Sequence, residues 1–126
     1  MDAHNNLIEQ YKSIISNLPL NKNGWRIDKN INTEIFTDKD IDNIINCMAD
    51  IKHIFKPTKQ YNLNSYNGKH IIERYRIFKY ISNGEFIAAM ILSGYKYKQP
   101  QSLNLVFNAS IKKKRVEPYK IKLIIS

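Results

Sequence analysis

The 126-residue sequence is 43% apolar and 25% charged, a composition typical of one globular domain, residues 1–126, with its own core. Its formal net charge of +9 is compatible with a polyanionic partner, and its single cysteine, Cys47, excludes an intramolecular disulfide and a cysteine-based metal site. No apolar run approaches the roughly 18 residues of a membrane span and no apolar leader follows Met1, so we expect a soluble, intracellular protein without a membrane partner.

The first predicted element is an amphipathic helix over residues 3–17, which Pro19 ends. We expect its apolar face to dock on the core of its own chain, although such a face also suits a partner. Residues 19–36 are polar and irregular, with a turn at Asn23-Gly24. Trp25 is interpreted as the anchor of this loop, with stacking on a base as the alternative.

A second helix is predicted over residues about 38–55. Thr37 is the expected N-cap, and Asp38 and Asp40 suit the positive end of the helix dipole. Basic residues fill the last turn before Pro57, as the negative end of the dipole favours. Cys47 lies within this helix and is expected to be a buried structural thiol.

The densest local signals lie between Ser65 and Gly94. Ser65 is the expected cap of a helix over 66–78, and Ser82-Asn83-Gly84-Glu85 matches a capping box that starts a helix over 83–93. Gly94 stands where a helix ends with a positive φ. The Asn-Gly pair is also a strong hairpin-turn signal, which would instead pair residues 75–81 with 85–91. Because Ala-Ala-Met fits a strand poorly, the helix is favoured.

The same stretch contains the spaced pattern S-Y-x-x-K-H-x-x-E, from Ser65 to Glu73, followed by Y-I-S-N-G-x-F-I, from Tyr80 to Ile87. Gly94 and Phe107-Asn108 continue it. This pattern resembles a signature of small uncharacterised proteins of viruses and phages, and it covers roughly the middle third of the chain. The resemblance implies a viral or mobile-element origin and implies no particular chemistry.

A β-hairpin is predicted over residues about 102–125. Leu103, Leu105 and Phe107 alternate with polar positions, and so do residues 119–125. The four adjacent cations Lys112, Lys113, Lys114 and Arg115 would form the exposed tip, because four like charges are costly to bury. The fold class is therefore α+β, with about four helices followed by a hairpin. This order is similar to that of a winged helix-turn-helix domain.

No catalytic motif supports an enzyme, and no cofactor is expected. The chain lacks a phosphate-binding glycine loop, a nucleophile elbow and the H-E-x-x-H pattern. His70 and Glu73 are three residues apart, but no third ligand stands at helical spacing. The acidic cluster of Asp38, Asp40 and Asp42 is interpreted as a complement to the helix dipole.

Charge is unevenly distributed, which favours a partner of opposite sign. Residues 1–50 hold five Lys/Arg and eight Asp/Glu, whereas residues 51–126 hold fifteen and three. An AT-rich genome explains abundant lysine but not this asymmetry; a merely solvated basic surface remains the alternative. The helix over 83–93 has no base-reading donor after Asn83, so contacts to nucleic-acid phosphates are expected rather than sequence readout.

We therefore expect an accessory protein that binds the phosphates of DNA or RNA. The alternative is a structural or assembly subunit of a virion or ribonucleoprotein particle. The candidate contact residues are Lys69, Arg74, Arg76, Lys96, Lys98, Lys112, Lys113, Lys114 and Arg115.

Overall fold

A computed structural model describes residues 3–25, 36–76, 79–98 and 103–112. Within these ranges the chain is an α+β protein, as predicted. Its four helices are α1 Ala3–Ser16, α2 Asp38–Ile54, α3 Ser65–Tyr75 and α4 Asn83–Leu92. Its strands are β1 Leu20–Asn21, β2 Gly24–Trp25, β3 Phe55–Pro57, β4 Leu63–Asn64, β5 Tyr97–Lys98, β6 Val106–Phe107 and β7 Ala109–Ile111.

Helix α4 lies at the centre of the core. Every residue from Asn83 to Met90 is buried. The predicted capping box is present, since the Glu85 N–H donates to the Ser82 hydroxyl at 3.1 Å and the Ser82 N–H donates to the Glu85 carboxylate at 3.0 Å. The helix prediction is thus confirmed over the hairpin alternative. A buried helix cannot enter a DNA groove, so the comparison with a recognition helix of a winged helix-turn-helix domain is wrong.

Gly84 allows this helix to approach the β1–β2 turn closely. Its N–H donates to the Lys22 carbonyl at 3.0 Å, and a Cβ at this position would lie 1.7 Å from the Asn21 carbonyl oxygen. Glycine is required here by the backbone approach and not by an unusual φ angle. The start of α4 is therefore fixed against a segment about 60 residues earlier in the chain.

Helices α1 and α2 pack together, and the three acidic residues in the first turns of α2 are paired. The side chains of Ile8 and Ile15 are buried, so α1 docks on its own chain, as expected. Asp38, Asp40 and Asp42 pair with Lys12 at 2.7 Å, Lys22 at 3.4 Å and His4 at 2.7 Å, respectively. Thr37 caps α2 as predicted and forms a full capping box with Asp40. These acids stand at the amino end of α2, as a complement to its dipole requires, and each also has a cationic or histidine partner.

The strand segment 105–111 organises the small sheets. On one side, β7 pairs antiparallel with β3, and β6 with β4; on the other side, β6 pairs antiparallel with β5. Both edges of β6 are therefore occupied by residues other than 119–125. Residues 106–107 therefore do not pair with residues 119–125 as the predicted hairpin over 102–125 requires. The second strand of that hairpin lies outside the described residues, so the rest of the prediction stays a prediction.

Side-chain contacts show which residue caps α3 and what Trp25 packs against. Asn64, not Ser65, caps α3, because its side chain accepts from the Tyr66 N–H at 2.8 Å. The buried Ser65 hydroxyl instead accepts from the Leu105 N–H at 3.1 Å and ties α3 to the sheet. Trp25 is 4% exposed and packs on Tyr97 with ring centroids 5.3 Å apart, so it anchors its loop and is closed to a base.

Candidate nucleic-acid interface

A row of lysines lies on the outer face of the strands around residues 105–111. Leu105, Phe107 and Ala109 are buried, whereas Val106, Asn108 and Ser110 between them face outward and are half-buried. Their neighbours across the strands carry the cations: Lys98 is opposite Val106, Lys56 is opposite Ser110, and Lys96 is hydrogen-bonded to Asn108. All three lysines are exposed. We call Lys56, Lys96, Lys98, Asn108 and Ser110 the basic sheet face.

Asn108 holds the edges of this face together. Its backbone N–H donates to the Lys96 carbonyl at 3.1 Å, and its side-chain oxygen accepts from the Lys96 N–H at 2.8 Å. Its carbonyl accepts from the Thr58 N–H at 2.9 Å on the opposite edge. One residue thus links three chain segments, and the backbone that carries Lys96 is fixed before any ligand arrives.

The loop 58–62 places an aromatic ring beside these cations. The Lys98 ammonium lies 4.6 Å from the centroid of the half-buried Tyr61 ring. The loop is tightened by Thr58, whose hydroxyl donates to the Gln60 carbonyl at 2.7 Å. Lys59 is exposed in the same loop. A cation over a tyrosine beside further lysines is a surface that suits a phosphate backbone with neighbouring bases.

Among the described residues, no ion pair joins a carboxylate to Lys56, Lys96 or Lys98. Residues 55–64, 95–98 and 103–112, which build the basic sheet face, contain no Asp or Glu. The described acids of α2 and α3 are instead engaged elsewhere, as in the pairs between Asp50 and Arg76 and between Glu73 and Lys69. Exposed lysines without carboxylate neighbours leave a positive potential that attracts polyanions.

Two of the predicted contact residues of α3 are used inside the protein. Lys69 is 9% exposed, and its ammonium donates to Glu73 at 3.1 Å and to the Ile81 carbonyl at 3.3 Å. Arg76 donates to Asp50 at 2.5 Å, and its side chain is 12% exposed. The interpretation of these two residues as surface cations is therefore wrong. Arg74 is exposed, but it lies on α3 and not among the strands of the basic sheet face.

Glu73 is the centre of the connection between α3 and α4. It accepts hydrogen bonds from Lys69, from His70 at 3.0 Å and from the Ile81 N–H at 3.1 Å. Burial alone would raise the pKa of this carboxyl, but the Ile81 N–H, Lys69 and His70 together hold the pKa below its ordinary value. Lys69, His70 and Glu73 of the spaced pattern therefore join α3 to the segment before α4, which is a structural role.

The predicted cationic run from Lys112 to Arg115 is described only at its first residue. The Lys112 ammonium donates to the Lys52 carbonyl at 2.7 Å, and the Lys112 N–H donates to the Ile54 carbonyl at 2.8 Å. Lys112 therefore caps the carboxyl end of α2, where a cation is stabilised by the helix dipole. It follows β7 directly, and the rest of the predicted hairpin tip is not described. Lys113, Lys114 and Arg115 lie outside the described residues.

The structure adds Lys56, Lys59 and Tyr61 to the expected Lys96 and Lys98. The stretch K-P-T-K-Q-Y, from Lys56 to Tyr61, is itself basic and aromatic, but local pattern relates Lys56 only to the end of α2. Tyr95 and Tyr97 alternate with Lys96 and Lys98 along the sequence, yet these two aromatic rings face inward. Tyr97 packs on Phe107 with centroids 6.2 Å apart, and Tyr95 is half-buried, which raises the pKa of its hydroxyl.

Other kinds of site find little support in the described part of the chain. Across residues 3–25, 36–76, 79–98 and 103–112, no group of three or more His, Cys, Asp or Glu side chains is placed to hold a metal ion. Cys47 is fully buried, and burial raises the pKa of its thiol, so it is a poor nucleophile. None of the described helices has the length and apolar character needed to cross a membrane.

Comparison of the chain with protein-family models, with curated proteins and with solved structures found no match. The function is consequently inferred from the geometry and charge of the basic sheet face.

Proposed function

We propose that the protein is a small accessory protein that binds nucleic-acid phosphates through the basic sheet face, with little sequence readout. The observation that supports this proposal is the exposure of Lys56, Lys96 and Lys98 on one face of strands that contain no carboxylate. The resemblance of residues 65–87 to virus and phage proteins supports a viral or mobile-element origin.

The chemistry of the face favours phosphate contact over base recognition. Lysine ammonium groups are point charges that bind phosphate oxygens without a fixed orientation. No arginine stands among the residues that build the face, so the bidentate contact that most often reads guanine is lacking there. Tyr61 offers a ring that can stack on any base.

The amphipathic face of α1, which suggests the alternative of an assembly subunit, is occupied by its own chain. Ile8 and Ile15 are buried, and Lys12 pairs with Asp38 of α2. The phosphate-binding proposal therefore has the stronger support.

The test is binding to duplex DNA, duplex RNA and single strands across a salt series. Affinity should fall as salt rises, and the variant Lys96→Ser/Lys98→Ser should weaken binding to every sequence. On duplex DNA it should also lower the slope of log affinity against log salt by up to about 0.9 for each phosphate that the variant no longer neutralises.

A matched control distinguishes the loss of the basic sheet face from the loss of net charge. Lys39 and Lys79 are exposed cations outside the basic sheet face. The variant Lys39→Ser/Lys79→Ser loses the same formal charge, so it should bind much more like the wild type. Equal losses of affinity in the two variants, or no binding by the wild type at low salt, would contradict the proposal.

A further inference from the structure

A lysine-rimmed cleft of about 580 Å³ lies beside the basic sheet face, between the carboxyl-terminal half of α2, β3 and the segment after α4. This volume is within the range of roughly 300–1,000 Å³ that is usual for pockets that bind small molecules. Its lining includes Met48, Ala49, Lys52, Lys56, Tyr95 and Lys112. The cleft thus combines an apolar and aromatic floor with cations.

The charges of the cleft favour an anion. Lys52, Lys56 and Lys112 line it, and none of the described residues that line it is Asp or Glu. The carboxyl end of α2 would ordinarily repel an anion through its free carbonyl groups. Lys112 reduces this repulsion, because its ammonium and its N–H donate hydrogen bonds to the Lys52 and Ile54 carbonyls.

The floor of the cleft suits a flat ring. Ile51 and Phe55, at most 1% exposed, lie beneath the cleft, and its accessible apolar surface comes from the half-buried Met48 and the exposed Ala49 and Pro57. The half-buried Tyr95 adds an aromatic side chain whose hydroxyl can donate a hydrogen bond. A ligand that contacts both the apolar surface and the lysines of the cleft has a planar ring and a negatively charged group.

We propose that the cleft takes one unstacked nucleotide of a single strand whose neighbouring phosphates lie on the basic sheet face. Lys56 belongs to both surfaces and makes them continuous. The base would lie against the apolar floor, and its phosphate would lie near the lysines. This inference rests on the proposed function and adds a preference for single strands to it.

The preference follows from the state of the bases. In a duplex they are paired and stacked, so a base must leave the helix at a cost before it can enter a cleft. In a single strand the bases are accessible to stacking surfaces. We therefore expect the wild type to bind an oligothymidylate of about 20 nucleotides at least about fivefold more tightly than a duplex of equal length.

Filling the cleft tests this directly. Ala49 is exposed and lines the cleft, so Ala49→Trp should occupy part of it without changing charge or the buried core. The preference for the single strand should fall to less than about twofold, while duplex binding and its salt slope remain unchanged. Asn46→Trp is the control, because Asn46 is exposed on the same helix and does not line the cleft. A preference that persists in Ala49→Trp would overturn the inference.

A second measurement locates the ligand. Thymidine 5′-monophosphate, titrated into the wild type, should shift the amide NMR signals of Ala49, Ser93 and Tyr95, and inorganic phosphate should not reproduce these shifts at equal concentration. If dodecanoate shifts them and the nucleotide does not, the cleft is a site for amphiphilic anions and the inference fails.

The two proposals fail in different ways. Equal, salt-dependent binding to duplex and single strand, with no response of the cleft to the nucleotide, overturns the cleft inference and leaves the basic sheet face in place. Binding to neither nucleic acid overturns both.

Discussion

Two lysines of this protein lie against tyrosine rings, and their surroundings give them opposite roles. The Lys69 ammonium is 5.0 Å from the Tyr80 ring centroid, and the Lys98 ammonium is 4.6 Å from that of Tyr61. Lys69 is buried and paired with Glu73, whereas Lys98 is exposed on strands without a carboxylate. The same pair of residue types thus stabilises the fold in one region and is available to a ligand in the other. Burial and a carboxylate partner, not the motif, decide between the two.

The largest expected loss of stability comes from a substitution where α4 packs against the β1–β2 turn. Gly84→Ala should destabilise the protein by at least about 3 kcal/mol, because the new Cβ would stand 1.7 Å from the Asn21 carbonyl oxygen and the backbone must move. Ser110→Ala on the basic sheet face should change the free energy of unfolding by less than about 0.5 kcal/mol. Urea denaturation followed by far-UV circular dichroism measures both. A wild-type midpoint for Gly84→Ala would mean that α4 and the β1–β2 turn do not approach so closely.

The next largest effect is expected from replacing Lys69, in comparison with Lys98. Lys69→Met leaves Glu73 without its ammonium partner in a largely buried place, so it should cost roughly 2–4 kcal/mol. Lys98→Met removes an exposed charge and should cost less than about 0.5 kcal/mol, while weakening nucleic-acid binding. Urea denaturation and the salt-series binding assay together give both values. A greater destabilisation by Lys98→Met than by Lys69→Met would contradict the roles assigned to the two side chains.

The smallest expected effect is the dependence of folding stability on pH at acidic values. The pKa of Glu73 is lower in the folded protein than its ordinary value of 4.5, so its contribution to stability is complete above that value and is lost as the pH falls through the folded pKa. Glu73→Gln should therefore be less stable than the wild type near neutral pH, and the difference should shrink below about pH 4. Urea midpoints measured from about pH 7 to pH 3 test this. A difference that stays constant over this range would rule out Glu73 as the source.

The sequence predicts those features that are encoded within a few residues. The capping boxes at Thr37 and Ser82 need only a hydroxyl and a carboxylate three positions apart, and both are present in the structure. Such caps and helical spacing predict the bounds of α1, α2 and α4 to within one residue, whereas α3 ends at Tyr75 and not at the predicted residue 78. Even here neighbouring residues compete, since Asn64 and not Ser65 caps α3.

The partners of strands and charges depend on distant parts of the chain. Phe107 pairs with Leu63 and Tyr97 rather than with a later strand, and no local pattern distinguishes these outcomes. Arg76 is neutralised by Asp50, 26 positions earlier, which the spacing of α3 cannot reveal. For the same reason local pattern relates Lys56 to the end of a helix, although the strand opposite it places it on the basic sheet face.

The central position of residues 105–111 has a consequence for synthesis. Their strand partners, residues 55–58, 63–64 and 96–98, all leave the ribosome earlier, but they have no common neighbour until this segment emerges. The acidic first half can pair with its own cations well before that point. A nascent chain that does not yet extend to residue 111 therefore carries Lys56, Lys96 and Lys98 on strands that lack this shared partner. The surface that gathers them arises late, when nearly all of the described chain is already made.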